Sequence, residues 1–305
     1  MPASELNNRK SSHPSAGDQQ EIVMLWQDIF QDSDNFTDLF FSRVYKPENT
    51  LVIKKDHRII SSLQMVPYEI KTIFGIIPAA YICGVCTLPS ERGKGAMKTL
   101  MAEAMEDMHQ RGYSISTLIP ATPRLFDFYR RFGYTYPIDH EVDTIHYSGK
   151  QPLNAVSETT ALADFTFAGC TTDKHFPYFD RKQRERRCAV LHNACDLETI
   201  VRDLAYDGGN AWVALKKNNP AGIAFAKPES KDKIIIKEIF YDNTLIKEAL
   251  IRYILNLYNA RTAEMRLPSN TEKDKTLEKQ PYGLACILDE QITDISGLYM
   301  TLMLE

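Results

Sequence analysis

The chain has 305 residues, of which 44% are hydrophobic and 25% are charged, so it is long enough to form two globular domains of ordinary size. Its 36 Lys and Arg residues against 40 Asp and Glu residues leave a formal net charge of -4, which argues against nucleic acid as a partner. No stretch approaches the ~20 apolar residues of a membrane span, and the polar amino-terminal segment lacks a signal peptide's apolar core, so we expect a cytoplasmic protein with no membrane partner.

The first predicted elements are a leader and two helices. We expect residues 1–19 to be a disordered leader, because they are polar and contain no apolar run. Apolar residues from Ile22 to Ile29 then recur at helical spacing, and Asp34 precedes a second run that contains Leu39 and Phe40. Pro47 ends this helical pair.

Strands follow the helices. Residues 50–71 alternate apolar and polar side chains around a turn at Lys55 and Asp56, which predicts a hairpin, and residues 73–87 are expected to supply two further strands. Cys83 and Cys86 form a C-G-V-C sequence within this region. The chain has no second CxxC and no suitable His pair, and a redox motif would open a helix, so reduced thiols and no metal site are predicted.

A basic loop with two glycines comes next, and its residues are Arg92, Gly93, Lys94 and Gly95. It opens an amphipathic helix whose apolar residues, including four methionines, recur at spacings of three and four and should pack in the core. Backbone N–H groups at a helix N-terminus have no intrahelical partners, and glycines allow the backbone to approach a ligand closely. The loop therefore predicts a phosphate site, although neither a P-loop nor a GxGxxG pattern is present.

A strand over residues 113–119 and the segment F-Y-R-R-F-G-Y, residues 128–134, follow the loop and its helix. The order of the strand ending in G-V-C-T, the R-x-x-G loop with its helix and the F-Y-x-x-x-G-Y segment resembles the GCN5-related N-acetyltransferases, the GNAT family. The amino-acid sequence of these segments is most similar to that of the "enhanced intracellular survival" branch, whose members are two fused GNAT folds. That branch usually adds a sterol-carrier-like domain, and this chain stops near where it would begin.

The resemblance implies direct transfer of an acetyl group from acetyl-CoA to a primary amine. It makes Tyr129 the general acid for the departing thiolate, with backbone N–H groups near Val85 and Thr87 polarising the thioester carbonyl. Tyr134 is expected to pack in the core. The implied acetyl-CoA-binding residues are Val85, Cys86, Thr87, Arg92, Gly93, Lys94, Gly95, Ala96, Met97, Lys98 and Arg124.

Two points of the predicted site stay open. Met97 stands where the family pattern has a small residue, and it would crowd the phosphates if the loop had the commonest geometry. The general base is unassigned among His140, Glu141, His146 and the chain-terminal Glu305, because sequence does not place a carboxylate or imidazole beside the amine.

The second half of the chain repeats the order of strands and long helix found in the first. We place a first GNAT-like domain at residues 20–150, closed by a strand at 139–147, a linker at 151–160 and a second GNAT-like domain at 161–305. Asp242 and Asn243 lead directly into the second long helix without a glycine loop, so one acetyl-CoA site is expected. The fold class is α/β with an α+β mixed sheet, two tandem GNAT-like folds and a degenerate second copy.

The basic run at residues 181–187 predicts a solvated helix face rather than an anion site, because acids interrupt it.

Two other functions fit parts of this pattern. A tRNA-dependent aminoacyl transferase also has two fused GNAT folds but usually lacks the CoA loop, and a non-catalytic CoA-binding sensor would keep the loop without transfer. Members of the resembled branch acetylate aminoglycosides, and polyamines, peptide N-termini and lysine side chains remain open as small-molecule or peptide amine acceptors. Assembly into a homo-oligomer is also open.

Overall fold

A computed structural model describes residues 10–147, 165–269 and 277–304 of the protein. The first half of the chain forms four α-helices and five strands among these residues. The helices are α1 (Gln19–Phe30), α2 (Asp34–Arg43), α3 (Ala96–Gln110) and α4 (Pro123–Arg130). The strands are β1 (Thr50–Lys55), β2 (Arg58–Thr72), β3 (Gly75–Thr87), β4 (Ile115–Leu118) and β5 (Tyr136–His146).

The second half continues with three helices and seven strands among the described residues. The helices are α5 (Thr172–Arg184), α6 (Ala194–Tyr206) and α7 (Thr244–Leu257). The strands are β6 (Phe165–Gly169), β7 (Ala189–Leu191), β8 (Asn210–Lys216), β9 (Asn219–Ser230), β10 (Lys233–Tyr241), β11 (Thr262–Pro268) and β12 (Glu278–Ile287).

The chain folds into two compact units that do not follow its two halves. One unit is made by residues 1–138 and 282–295, and the other by residues 139–281 and 296–305. β5 pairs antiparallel with β11 in the second unit, and β12 pairs antiparallel with β4 in the first. The prediction that residues 139–147 close the first fold is therefore wrong, because the late strand β12 takes that position.

In the first unit, β1, β2 and β3 form an antiparallel sheet, and β3 pairs in parallel with β4. The predicted hairpin is confirmed, with its turn at Asp56 and His57. The two strands expected over residues 73–87 are one, because β2 runs on to Thr72 and β3 pairs with it from Gly75 to Thr87. α3 covers the sheet with Leu100, Met101 and its other buried apolar residues, as its spacing predicts.

The amino-terminal segment packs on this unit. The backbone of Ser12 exchanges two hydrogen bonds with Val52, and Asp18 forms an ion pair with Lys54 at 2.7 Å. The prediction of a disordered leader is therefore wrong for residues 11–19, the last of which begins α1. Leader residues 1–9 and the predicted linker at 151–160 lie outside the described residues.

The second unit repeats this scaffold. β8, β9 and β10 are antiparallel, and β10 pairs in parallel with β11 up to the pair Ile236 and Met265. Immediately beyond that pair, the Thr301 hydroxyl donates to the Lys237 carbonyl at 2.8 Å and the Tyr299 hydroxyl donates to the Arg266 carbonyl at 3.2 Å. A late segment of the chain itself thus lies where β10 and β11 diverge.

A buried ion pair lies in the second unit. Arg186 Nη2 is 2.6 Å from Glu238 Oε1, and the guanidinium lies over the rings of Phe240 and Tyr299. The Glu238 side chain is 1% exposed. The predicted solvated face is therefore wrong for Arg186, which follows the end of α5 and turns inward onto these aromatic rings.

The Glu238 carboxyl should make stability depend on pH. Burial raises its pKa from the ordinary value of 4.5 to about 7, against the opposing effect of Arg186. Between these values the folded state keeps a proton that the unfolded state releases, so the free energy of unfolding should fall as pH rises from 4.5 to 7, by about 3 kcal/mol at most. Urea unfolding at several pH values measures this slope.

Glu238→Gln should flatten that slope, whereas the exposed Glu229→Gln should leave it unchanged. A Glu238→Gln protein with the slope of the unaltered chain would contradict this account.

Candidate active site

β3 carries a bulge at the edge where it leaves β4. Ser62 pairs with Cys86 and Gln64 pairs with Cys83, so Gly84 and Val85 together stand opposite Leu63. Gly84 has φ = +59°, a conformation that glycine adopts without steric cost. The indole of Trp26 packs on this glycine, since a Cβ there would lie 2.2 Å from a Trp26 ring carbon.

β3 and β4 stop pairing just before this bulge. Their parallel ladder runs from Ala79 with Ile115 to Ile82 with Leu118 and goes no further in the described chain. We call the divergent region between residues 83–87 and the chain after Leu118 the wedge. The described chain thus places no strand beside residues 83–87 on this edge, where an extended ligand could pair.

The predicted phosphate loop follows directly. Gly93 and Gly95 have φ = +74° and φ = +86°, and Gly95 is the N-cap of α3 without any side-chain cap. The first-turn N–H groups of Ala96, Met97 and Lys98 therefore have no side-chain acceptor, and the helix has no acid in that turn. Nothing lies within 4 Å of a Cβ built on Gly93, so the loop is open on that side.

A buried acid, Glu91, pairs with two lysines at the loop. Glu91 Oε1 forms ion pairs with Lys55 at 3.0 Å and with Lys94 at 3.3 Å. Arg92 is exposed, and its Nε donates to the Thr87 carbonyl at 3.2 Å, which ties the loop to the end of β3. Sequence reasoning missed Glu91, although an acid one residue before the basic loop is visible in the sequence.

Other predicted binding residues fall on both sides of the loop. Met97 is half-buried and packs against the hydrophobic core of the first unit, so its side chain is held on the core side of α3. Ala96 is buried and Lys98 is exposed. Arg124 is exposed in the first turn of α4, and Cys86 is buried with its thiol 3.2 Å from the Ser62 hydroxyl.

Tyr129 is buried on α4, with 6% of its surface exposed. Its ring contacts Phe128 and Tyr134, and its hydroxyl has no hydrogen bond among the described residues. Burial raises the pKa of Tyr129 to about 12, with a smaller contribution from Cys83. The phenol is therefore protonated near neutral pH, as a proton donor must be.

The cysteines near the wedge are protonated thiols. Burial raises the pKa of Cys83, and burial raises that of Cys86 to about 11 despite the Ser62 hydrogen bond. All six cysteines are free. In the described part of the chain, no three His, Cys, Asp or Glu side chains form a group that could hold a metal ion. No helix of that part has the length and apolar composition to cross a bilayer.

The candidate bases lie on β5, in the second unit. His140 is buried with Nε2 at 2.7 Å from the Met300 carbonyl, Glu141 is buried, and His146 is exposed. Glu305 is outside the described residues. The general base therefore stays unassigned among these candidates.

The second unit differs from the first where its own loop would be. Asn243 caps α7 by accepting from the Ile246 N–H, whereas α3 has no side-chain cap. Asp242 Oδ1 accepts a hydrogen bond from Tyr178 and lies 3.3 Å from Lys182. The helix end that could bind an anion is thus occupied by the chain's own side chains.

Comparison with known families decides the nature of the first unit. The family model described as "Acetyltransferase (GNAT) domain" matches residues 12–136, which contain the wedge, the loop and Tyr129. Residues 12–136 are a GNAT acetyltransferase domain. The prediction of an acyltransferase is thereby confirmed at the level of this family. No curated protein sequence matches the chain significantly.

Solved structures confirm the tandem GNAT fold. A GCN5-related N-acetyltransferase from Kribbella flavida has a TM-score of 0.73 and 15% identity, covering 94% of this chain and 73% of that chain. Eis1 from Mycobacterium abscessus has a TM-score of 0.68 and 13% identity, covering 93% of this chain and 74% of that one. A tandem GNAT protein from the clavulanic acid biosynthesis pathway has a TM-score of 0.53 and 13% identity, covering 92% of this chain and 99% of that one. The predicted fold class, two tandem GNAT-like folds, is confirmed by this likeness.

Proposed function

We propose that this protein is an acetyl-CoA-dependent N-acetyltransferase that moves the acetyl group to a primary amine by direct attack, in the cytoplasm. The proposal is supported by one combination in the GNAT domain: an unpaired strand edge, an uncapped helix N-terminus and a protonated tyrosine. Each suits a different part of an acyl-CoA thioester. The edge suits the amide-bearing pantetheine arm, the helix N-terminus suits the pyrophosphate, and the tyrosine suits the sulfur.

The residues would divide the chemistry as follows. Gly93 and Gly95 bring backbone N–H groups close to the phosphate oxygens, and Arg92 adds a charge-assisted hydrogen bond. Backbone N–H groups near the bulge at Val85 polarise the thioester carbonyl in a water-poor setting. The amine attacks that carbonyl carbon, and its nitrogen releases a proton to the general base, which is still unassigned, or to water. The carbon–sulfur bond breaks, and Tyr129 gives its proton to the sulfur.

Calorimetry with acetyl-CoA, followed by thioester-release assays over polyamines, aminoglycosides and peptides, tests the proposal. Binding together with release that depends on one class of amine is the expected result. Binding without release to any amine would favour the CoA-binding sensor. Failure to bind acetyl-CoA, with activity on aminoacyl-tRNA instead, would favour the aminoacyl transferase.

Arg92→Ala should weaken acetyl-CoA binding by about 10- to 100-fold, because a hydrogen bond to a charged group contributes roughly 1.5–3 kcal/mol. The kcat at saturating acetyl-CoA should change little, since Arg92 lies at the phosphate loop and not beside Tyr129. Calorimetry and steady-state kinetics measure the two quantities.

Arg130→Ala is the matched control, since that exposed arginine pairs only with Asp127 in the described part of the chain. Equal donor affinity in the Arg92 and Arg130 variants would remove Arg92 from the site.

A further inference from the structure

A second tyrosine stands directly behind Tyr129. Tyr134 is completely buried, and its ring meets the Tyr129 ring edge-to-face, with centroids 6.2 Å apart and planes at 68°. Its hydroxyl lies 2.7 Å from the Ser116 hydroxyl, and Ser116 is also completely buried. The Tyr134 ring is therefore fixed at both ends, by packing and by a buried hydrogen bond to β4.

The chain between the two tyrosines is a tight turn. The N–H groups of Phe132 and Gly133 donate to the carbonyls of Tyr129 and Arg130, and Gly133 has φ = +91°. A Cβ on Gly133 would lie 3.1 Å from the Cys286 sulfur, so β12 closes the turn from the other side. The turn thus has little room to move away from the sheet.

Tyr129 itself has no polar anchor. Because its hydroxyl has no hydrogen bond among the described residues, the direction of the phenol depends on the rings that touch it. Phe128 is its immediate neighbour on the same helix, at a centroid distance of 5.2 Å, whereas Tyr134 is tied to a strand of the sheet. Of these two ring contacts, the second relates the phenol to β4, which leads into one side of the wedge.

We propose that Tyr134, anchored by Ser116, is a positioning residue that holds the Tyr129 phenol toward the wedge for proton transfer. This inference rests on the proposed function and adds to it a residue expected only to pack. A misplacement of about 1 Å can cost on the order of a hundredfold in rate, so a partial loss of anchoring should be visible in kcat.

A double-mutant cycle separates positioning from packing. Tyr134→Phe, which removes only the hydroxyl, should lower kcat about three- to tenfold and leave the KM for acetyl-CoA unchanged. Ser116→Ala should give the same loss, and the two changes together should lose no more than either alone. In a Tyr129→Phe background, neither change should lower kcat further, because the group that they position is absent.

Tyr136→Phe, an exposed tyrosine at the start of β5, is the matched control and should keep full kcat. Thermal unfolding of every variant accompanies the kinetics, because both hydroxyls are buried. Equal proportional losses of kcat with and without the Tyr129 hydroxyl would overturn the inference and leave Tyr134 as a packing residue. Full turnover by Tyr129→Phe alone would overturn the general-acid assignment, and the inference with it, while donor binding would still test the site.

Discussion

Replacing Tyr129 by phenylalanine should lower kcat for acetyl transfer by about 10²- to 10⁴-fold, the range that a positioned general acid contributes. The ring and its contacts with Phe128 and Tyr134 stay, and only the proton donor is lost. The affinity for acetyl-CoA should stay within about twofold, because the uncapped N-terminus of α3 and the β3 edge are unchanged. Single-turnover kinetics with a saturating amine measure the chemical step directly.

The environment of Tyr129 explains why a phenol with a pKa of about 12 can serve as the acid. Burial also raises the pKa of the Cys83 thiol, which lies on the same strand edge. Burial destabilises a leaving thiolate in those surroundings for the same reason. The pKa of the leaving thiol is therefore raised, as the pKa of the Tyr129 phenol is. The proton therefore moves between two groups that burial affects in the same direction.

Tyr113→Phe is the control for this prediction, because that tyrosine lies in the same unit and is half-buried. If the Tyr129 variant turned over as fast as this control with the true acceptor, another group or water would be the acid.

The elements that carry the candidate site were predictable because they are close in the sequence, between residues 81 and 134. The strand edge, the glycine loop and the helix each have a local signal in glycine placement or apolar spacing, whereas the role proposed for Tyr129 comes from the family resemblance. The loop conformation follows from Gly93 and Gly95, since both adopt positive φ. The apolar spacing also predicts the inward packing of Met97, which the structure places against the core of the first unit.

The exchange of closing strands was not predictable from alternation. Residues 139–147 alternate as a closing strand should, but a period of two residues says which face is buried and not which neighbour the strand pairs with. The structure pairs β5 with β11 and β12 with β4. As a result, the first unit is completed by residues 282–295, far along the chain from the rest of its sheet.

The position of Arg186 was also not predictable from the sequence pattern. A run of cations with interspersed acids usually lies on a solvated face, and Arg181 and Lys182 do pair with Glu185. Arg186, however, bonds to Glu238, which is 52 residues away along the chain. The sequence places a glutamate in a strand but gives no sign that the arginine reaches it.

Replacing Gly84 by alanine should lower the free energy of unfolding by about 2–5 kcal/mol. A non-glycine residue in a left-handed conformation costs about 1–2 kcal/mol, and inserting a methyl group into packed surroundings costs a further 1–3 kcal/mol. Both costs apply here, because φ is +59° and the new Cβ would overlap the Trp26 ring at 2.2 Å. The indole cannot easily move, since Phe40 and Phe41 pack on it and Asp32 accepts its N–H at 2.8 Å.

Gly112→Ala separates the two costs. Gly112 has φ = +75° at the end of α3, but nothing lies within 4 Å of its Cβ position, so its replacement carries the backbone cost alone. Urea unfolding of both variants should therefore show the larger loss of unfolding free energy at Gly84. Trp26→Leu should recover part of that loss in the Gly84→Ala chain by making room for the methyl group.

Acetyl-CoA affinity should fall only in the Gly84 variants, because a shifted bulge moves the N–H groups next to Val85. Equal losses at Gly84 and Gly112, with equal donor affinity, would mean that the indole does not fix the bulge and that the wedge has its shape for another reason.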